Sequence, residues 1–259
     1  MSTTGQAYDA AAPLWRRGPE AVYARLADAM LDLTPVDLAG AAVLDVGAGT
    51  GVVARAARRR GAGTVVASDL SAAMLATSGP GLLPVVADGL QLPFATGSFD
   101  LVTAACCLSH LPDPVTGLVE MSRAGTSVLA TSFAPVARQP VKDVVDQVLA
   151  GYGFVVPEWY RHLKEVLEPR VNDAAGLAGM ARAAGVETFR VDQVEVDVGL
   201  DSAEAIANWR LGMAHLAPFV ARLPQAARDA ARAAAVDAVA AAGGGQEPVV
   251  VALLVLTAA

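Results

Sequence analysis

The chain has 259 residues, of which 54% are hydrophobic, 5% aromatic and 17% charged; it is apolar enough for a large α/β core and too poor in charge for a disordered chain. A formal charge of −7 argues against nucleic acid as a partner, because a polyanion is met by a basic face. A mean hydropathy of +0.44 raises the question of a membrane. However, the most apolar stretch, Pro248 to Ala259, runs only about twelve residues where a spanning helix needs roughly twenty. Met1 to Asp9 is small and polar, unlike a secretory leader. A cytoplasmic protein with no membrane partner, monomeric or homodimeric, is therefore expected. The two cysteines, Cys106 and Cys107, are adjacent; they fit a reducing compartment and read as packing residues. With only three histidines besides, no zinc spacing arises and no metal is expected. Lysine is confined to Lys142 and Lys164 against many arginines, a bias typical of GC-rich bacterial genomes.

In chain order, residues 1–40 read as an N-terminal helical cover. Pro19 suits a first helical position, and Val22, Leu26, Met30 and Leu33 follow at helical spacing. Ala41 to Val46 is a buried strand that runs into the glycine-rich turn Gly47-Ala48-Gly49-Thr50-Gly51, and Val52 to Arg60 is the next helix, closed by Arg58-Arg59-Arg60 and Gly61. Thr64 to Asp69, Pro84 to Asp88, Phe99 to Ala104 and Ser127 to Thr131 read as further strands, with Ser71 capping a short helix through Met74 and Leu75. Val141 to Tyr152, Pro157 to Leu167 and Asn172 to Ala184 read as helices, and Thr188 to Val198 as an alternating strand. Asp201 to Glu204 has the spacing of a capping box and opens a helix carrying Trp209, Met213 and Leu216. Pro224 to Ala242 is an Ala/Arg-rich helix ended by Gly243 to Gly245, and Val249 to Leu256 is the last strand. Strands apolar on both faces alternating with helices predict a Rossmann-like, doubly wound, seven-stranded and mostly parallel sheet. One domain spanning 1–259 is expected, with a cofactor-binding half at 41–134 and helical lid segments at 135–170 and 200–245.

Glycines between a strand and a helix let a ligand approach the backbone closely. The run lacks the third glycine of a dinucleotide fingerprint and the Lys-Ser/Thr of a phosphate loop. Instead, Asp45 stands just before the turn, where it would repel a pyrophosphate and attract an amine or a sulfonium. Asp69 and Asp88 are expected to end the second and third strands, placed to take ribose hydroxyls and an exocyclic amine. Ligands of open α/β sheets bind at those carboxyl ends.

With these residues the chain resembles the class I S-adenosylmethionine-dependent methyltransferases, in particular small-molecule enzymes of the ubiquinone/menaquinone-methyltransferase type. The likeness rests on Val43 to Gly51, Ser68 to Leu75, Ala87-Asp88-Gly89 with Leu92-Pro93-Phe94, Ser98 to Val102 and Ser109 to Asp113, and covers roughly Tyr8 to Thr131. It implies S-adenosylmethionine as cofactor and S-adenosylhomocysteine as product. By position, Gly47, Ala48, Gly49 and Gly51 wrap the methionine part, Asp45 and the backbone of Ala105 face its amino group, and Asp69 holds the ribose. Leu70 and Met74 sandwich the adenine, Asp88 and Gly89 meet its edge, and Tyr8 matches a tyrosine in a mobile N-terminal cover. Met74 also reads as a core residue and Tyr8 as ordinary packing. The Asn/Asp-Pro-Pro-aromatic run of nucleic-acid amino-methylases and the Pro-Cys of cytosine-C5 enzymes are both absent, the place being taken by Ala104 to Leu108. Strand five leads into Ser132-Phe133-Ala134-Pro135, without the acids that hold a divalent cation in catechol-type enzymes.

For catalysis, His110 lies after strand four and His215 on a helix expected to roof the substrate; either also reads as structural. Trp15, Trp159, Trp209 and Met213 are candidates for the substrate wall. The expected reaction is methyl transfer by in-line displacement, most simply to oxygen of a polyketide-like or aromatic secondary metabolite. The alternative is a cyclase-type or other non-methylating biosynthetic enzyme that retains the same cofactor, because one fold hosts several functions.

Overall fold

The structure, a computed structural model, describes residues 3–135 and 140–258. The chain opens with α1 (Thr3–Trp15) and α2 (Pro19–Leu31), followed by β1 (Ala42–Val46), α3 (Val52–Arg59), β2 (Thr64–Asp69), α4 (Ala72–Leu75), β3 (Leu83–Val86) and β4 (Leu101–Ala104). Next come α5 (Pro114–Ala124), β5 (Val128–Phe133), α6 (Pro140–Gly151), α7 (Glu158–His162), α8 (Ala174–Ala183) and β6 (Phe189–Asp197). The last elements are α9 (Ala203–Leu211), α10 (Ala217–Arg222), α11 (Gln225–Ala241) and β7 (Val250–Ala258).

The seven strands lie in the order β3-β2-β1-β4-β5-β7-β6. β1 to β5 are parallel, with Val43 level with both Val65 and Leu101, and β7 runs antiparallel between β5 and β6. Alternate side chains go to opposite faces. Val43, Leu101, Leu129 and Leu253 pack against α2, α3, α6, α9 and α11, while Leu44, Val102, Ala130 and Leu254 pack against α5 and α8. Burial on both faces is why the strands read as continuous apolar runs. Truncating a fully buried residue such as Leu44 to Ala would cost about 2–5 kcal/mol.

Four expectations change. α5 has no counterpart in the sequence reading; Asp113 caps it by accepting from Val115 N and Thr116 N, and Pro114 stands at its first turn. β3 stops at Val86, so Asp88 sits in the following loop, where its Oδ1 accepts from Leu90 N in a tight turn of its own. The helix expected through Leu216 breaks after Leu211, and Ser202, rather than Asp201, caps it by accepting from Ala205 N. The segment expected as a lid at 200–245 largely belongs to the core layer, with Ile206, Ala235 and Val239 fully buried against the sheet. Residues 136–139 of the other expected lid segment lie outside the described residues.

Chain order reverses between β1 and β4, so their carboxyl ends splay the following loops apart and open a crevice there.

Candidate active site

A cavity of about 250 Å³ occupies that crevice, with the turn after β1 as its floor. Gly47 has φ +68°, and a Cβ there would stand 2.5 Å from Cys107 Sγ, so backbone conformation and space both require glycine. Gly49 has φ +55°, yet a Cβ would meet no protein atom within 4 Å; what it leaves open is the cavity itself. Asp45, 1% exposed, holds the turn in place. Its Oδ1 accepts from Thr103 Oγ1 of β4 at 2.8 Å, and its Oδ2 accepts from Ala54 N in the first turn of α3 at 3.2 Å. Gly51, the residue before α3, has no side chain to cap the helix, and Asp45 supplies that cap from β1. Burial pushes the Asp45 carboxyl up to about 7, against the pull of these two hydrogen bonds.

Asp69 ends β2 on the adjoining wall. Its Oδ2 accepts from Gly49 N and its Oδ1 from Ser71 N, each at 2.8 Å, so one carboxylate ties the glycine turn to the start of α4. Burial raises its pKa, and the nearby Asp9 charge adds to this. Asp9 was not anticipated from the sequence. From α1 it accepts from Ser71 Oγ at 2.6 Å and Ala73 N at 3.2 Å, which fastens the N-terminal cover to α4. Leu70, Met74, Asp88 and Gly89 continue the same wall. Met74 both lines the cavity and packs with Trp15 and Ala11 in a small core of its own.

The opposite wall comes from the loop after β4 and from the two N-terminal helices. Ala105, Cys106, Cys107 and His110 line it. Cys106 has φ +52°, the only positive φ outside glycine among the described residues, and is held there as its N–H donates to both Thr131 O and Thr131 Oγ1. Burial raises both thiols, Cys106 to about 12, so neither is a thiolate at neutral pH. Tyr8 OH lies 3.3 Å from His110 Nε2. His110 is half-buried; desolvation of its ring, with the Lys164 charge adding, pulls its pKa down to about 4, and among the described residues its Nδ1 has no partner. Tyr8 packs on Trp15 (ring centroids 5.7 Å apart), Trp15 on Tyr23 (5.1 Å) and Tyr23 on Phe133 (6.4 Å). Tyr23 was missed in the sequence, although it shares the helical repeat of Pro19 and Ala27 on α2.

The cavity thus gathers Tyr8, Trp15, Asp45, Gly47, Ala48, Gly49, Asp69, Leu70, Met74, Asp88, Gly89, Ala105 and His110. It does not gather the others. Gly51 faces Ser78 and Leu82 behind the turn. Trp209 is buried in the helical layer, with Lys142 Nζ 5.2 Å from its ring centre and its Nε1 unpartnered. Met213 packs in the small core beside α1. Trp159 and His215 line a second cavity, which has no lining residue in common with the first; Trp159 still touches Tyr8, at 6.5 Å between ring centres. α1 contributes to both linings, Tyr8 to the first and Ala7 and Ala10 to the second, and His215 lines only the second. Among the described residues, no group of three or more His, Cys, Asp or Glu could hold a metal ion, and no helix is long and apolar enough to cross a membrane.

A mostly parallel sheet with a glycine turn after β1 and an acid closing β2 defines an α/β enzyme that binds a nucleoside at its strand ends. Residues 44–127 match the family described as "Methyltransferase domain". A demethylmenaquinone methyltransferase of Corynebacterium urealyticum is 34% identical over 198 residues, covering 72% of this chain and 84% of that protein. A ubiquinone/menaquinone biosynthesis C-methyltransferase of Bordetella parapertussis is 33% identical over 184 residues, covering 62% and 68%. Among solved structures, the [4+2]-cyclase SpnF superposes with a TM-score of 0.60 at 19% identity, over 98% of this chain and 94% of that one, a likeness of fold. The chain belongs to the class I S-adenosylmethionine-dependent methyltransferases of the ubiquinone/menaquinone-methyltransferase type.

Its cofactor is accordingly S-adenosylmethionine, and the residues present fit it. The open space at Gly49 is where a backbone-hugging ligand has room. Asp69 keeps lone pairs beyond the two it gives to backbone, as a diol requires. Asp45 sets a carboxyl beside the turn that an ammonium would ionise.

Proposed function

We propose that the chain methylates an oxygen of a small, largely apolar molecule, a polyketide-like or aromatic secondary metabolite, in the cytoplasm. When bound, S-adenosylmethionine supplies a sulfonium-activated methyl group and is left as S-adenosylhomocysteine. The protein's own part is alignment, exclusion of water and management of one proton. Tyr8, Trp15 and Tyr23 form an aromatic wall that favours a flat, apolar acceptor. The cofactor turn, the N-terminal cover and the loop after β4 would hold the two partners together.

The observation that carries the reading furthest is the state of His110. It is the one histidine lining the cavity among the described residues, and burial holds it near 4, so it is a weak base. Its Nε2 lies against the phenol of Tyr8. Such a site suits an acceptor that is already acidic, an enol or an electron-poor phenol, and not an alcohol. Carbon of the same enolate is the second reading, favoured by relatives named as C-methyltransferases.

Incubating the chain with S-adenosylmethionine and a panel of phenols and enols, followed by mass spectrometry and NMR of the product, tests this. One added methyl on oxygen with an equal amount of S-adenosylhomocysteine is expected. Methyl on carbon selects the second reading, and turnover without S-adenosylhomocysteine indicates a cyclase-type enzyme instead.

A further inference from the structure

We propose that the second cavity is a binding site for an apolar molecule carrying a carbonyl oxygen, and that His215 Nδ1–H is the fixed hydrogen-bond donor that selects it. The proposal deepens the reading of the chain as an enzyme of small apolar molecules and rests on it.

The cavity measures about 670 Å³ and lies on the side of α1 that carries Ala7 and Ala10. Apart from Gln6, Arg222 and His215 its side-chain lining is apolar: Phe154 and Phe219 meet edge to face with ring centroids 5.4 Å apart, and Trp159 closes the side toward Tyr8. His215 enters this surface from the turn between α9 and α10, and the residue is 2% exposed. Its ring lies flat on Tyr160, with centroids 3.7 Å apart and planes 1° from parallel, so its orientation is fixed.

The proton can be placed by elimination. Arg210 Nη2 lies 3.5 Å from His215 Nε2, and Asp146 holds that same guanidinium nitrogen at 2.9 Å. A guanidinium only donates, so Nε2 must accept, and a neutral imidazole then carries its hydrogen on Nδ1. Burial and the charges of Arg210 and Lys164 bring the His215 pKa down to about 2, which keeps the ring neutral. Among the described residues Nδ1 has no acceptor, on a ring that lines the cavity. A donor that opens onto a cavity is costly only once an apolar ligand covers it without a partner, and a ligand oxygen placed there avoids that cost. The same arrangement removes His215 as a general base: its one lone pair is taken up by Arg210. It is therefore a binding residue rather than the catalytic one expected from the sequence.

The test uses the full chain and two probes of nearly equal shape, 2-acetylnaphthalene and 2-ethylnaphthalene, by equilibrium dialysis. The ketone should bind about tenfold more tightly than the hydrocarbon, which would cover the donor and leave it unpaired. In His215→Phe, which keeps the stacking on Tyr160, the ratio should fall to about one, and His215→Gln, which restores a donor, should recover part of it. Ala10→Trp should abolish binding of both probes by filling the cavity. A ratio of one in the unmodified chain, an unchanged ratio in His215→Phe, or undiminished binding in Ala10→Trp would overturn the proposal. S-adenosylhomocysteine binding is measured alongside by calorimetry; its failure would strike the methyltransferase reading alone, since the probe ratio is read independently of it.

Discussion

The phenol oxygen of Tyr8 lies 3.3 Å from Nε2 of His110, which joins the N-terminal cover to the loop after β4 across 102 residues of chain. With Asp9 bound to Ser71 and Ala73 one residue further on, α1 is fastened to both sides of the cavity. Tyr8→Phe keeps the ring and removes only the hydrogen bond. It should weaken S-adenosylhomocysteine binding about fivefold, the worth of roughly 1 kcal/mol, as read by calorimetry. Undiminished affinity would mean that the contact does not help to close the site.

Asp69 and Asp88 are both acids on the cavity wall, but they are held differently. Asp69 is the joint between the glycine turn and α4, whereas Asp88 is exposed and, among the described residues, its carboxylate accepts only from Leu90 N two residues on. Asp69→Ala leaves two backbone N–H groups unpaired and should cost about 2–3 kcal/mol in cofactor affinity; Asp88→Ala should cost about 1 kcal/mol. Equal losses by calorimetry would contradict this ordering.

The two inner glycines of the turn make a matched pair of substitutions. Gly47→Ala brings a methyl against Cys107 Sγ and should lower folding stability by about 2–3 kcal/mol, partly recovered in the double variant with Cys107→Ala. Gly49→Ala meets no protein atom, so only the backbone strain of about 1–2 kcal/mol applies to folding. Its methyl projects into the cavity, and cofactor binding should fall by more than the stability does. Thermal melts and titrations on the same samples separate the two effects.

Asp45 predicts a pH dependence of definite sign. Its folded-state pKa of about 7 lies above the ordinary value of 3.8, so between these values the native state holds a proton that the unfolded chain has released. This contribution makes stability fall as pH rises from about 4 to about 7. In Asp45→Asn, urea unfolding should lose that part of the slope. An ammonium bound beside the carboxyl favours its ionised form, so cofactor binding near pH 7 should release protons, seen as a binding heat that varies with the ionisation enthalpy of the buffer. A buffer-independent heat would count against Asp45 as the ammonium's neighbour.

Much of the fold was legible in the sequence because strand periodicity and turn chemistry are local. The short apolar runs Ala41 to Val46 and Thr64 to Asp69, alternating with helical stretches, read as buried strands of a parallel sheet, and Gly47 to Gly51 reads as a turn. α5 escaped because its cap, Asp113, also reads as the end of the preceding motif. Lid and core were confused at α9 and α11, since an apolar helical stripe does not say which apolar surface it will meet.

By itself, then, the sequence determined the strand-turn-helix unit and set Asp45 and Asp69 at the ends of the first two strands, because these follow from neighbours along the chain, and the resemblance built on them implied the cofactor. Only the tertiary structure decided that Asp9 latches onto Ser71, that Tyr23 joins Trp15 and Tyr8 in one wall, and that Trp209 lies in the core. It also separated His110 from His215, placing each on a different cavity. Those relationships depend on how distant helices pack, and packing is set by the shape of whole surfaces, to which no short stretch of sequence gives access.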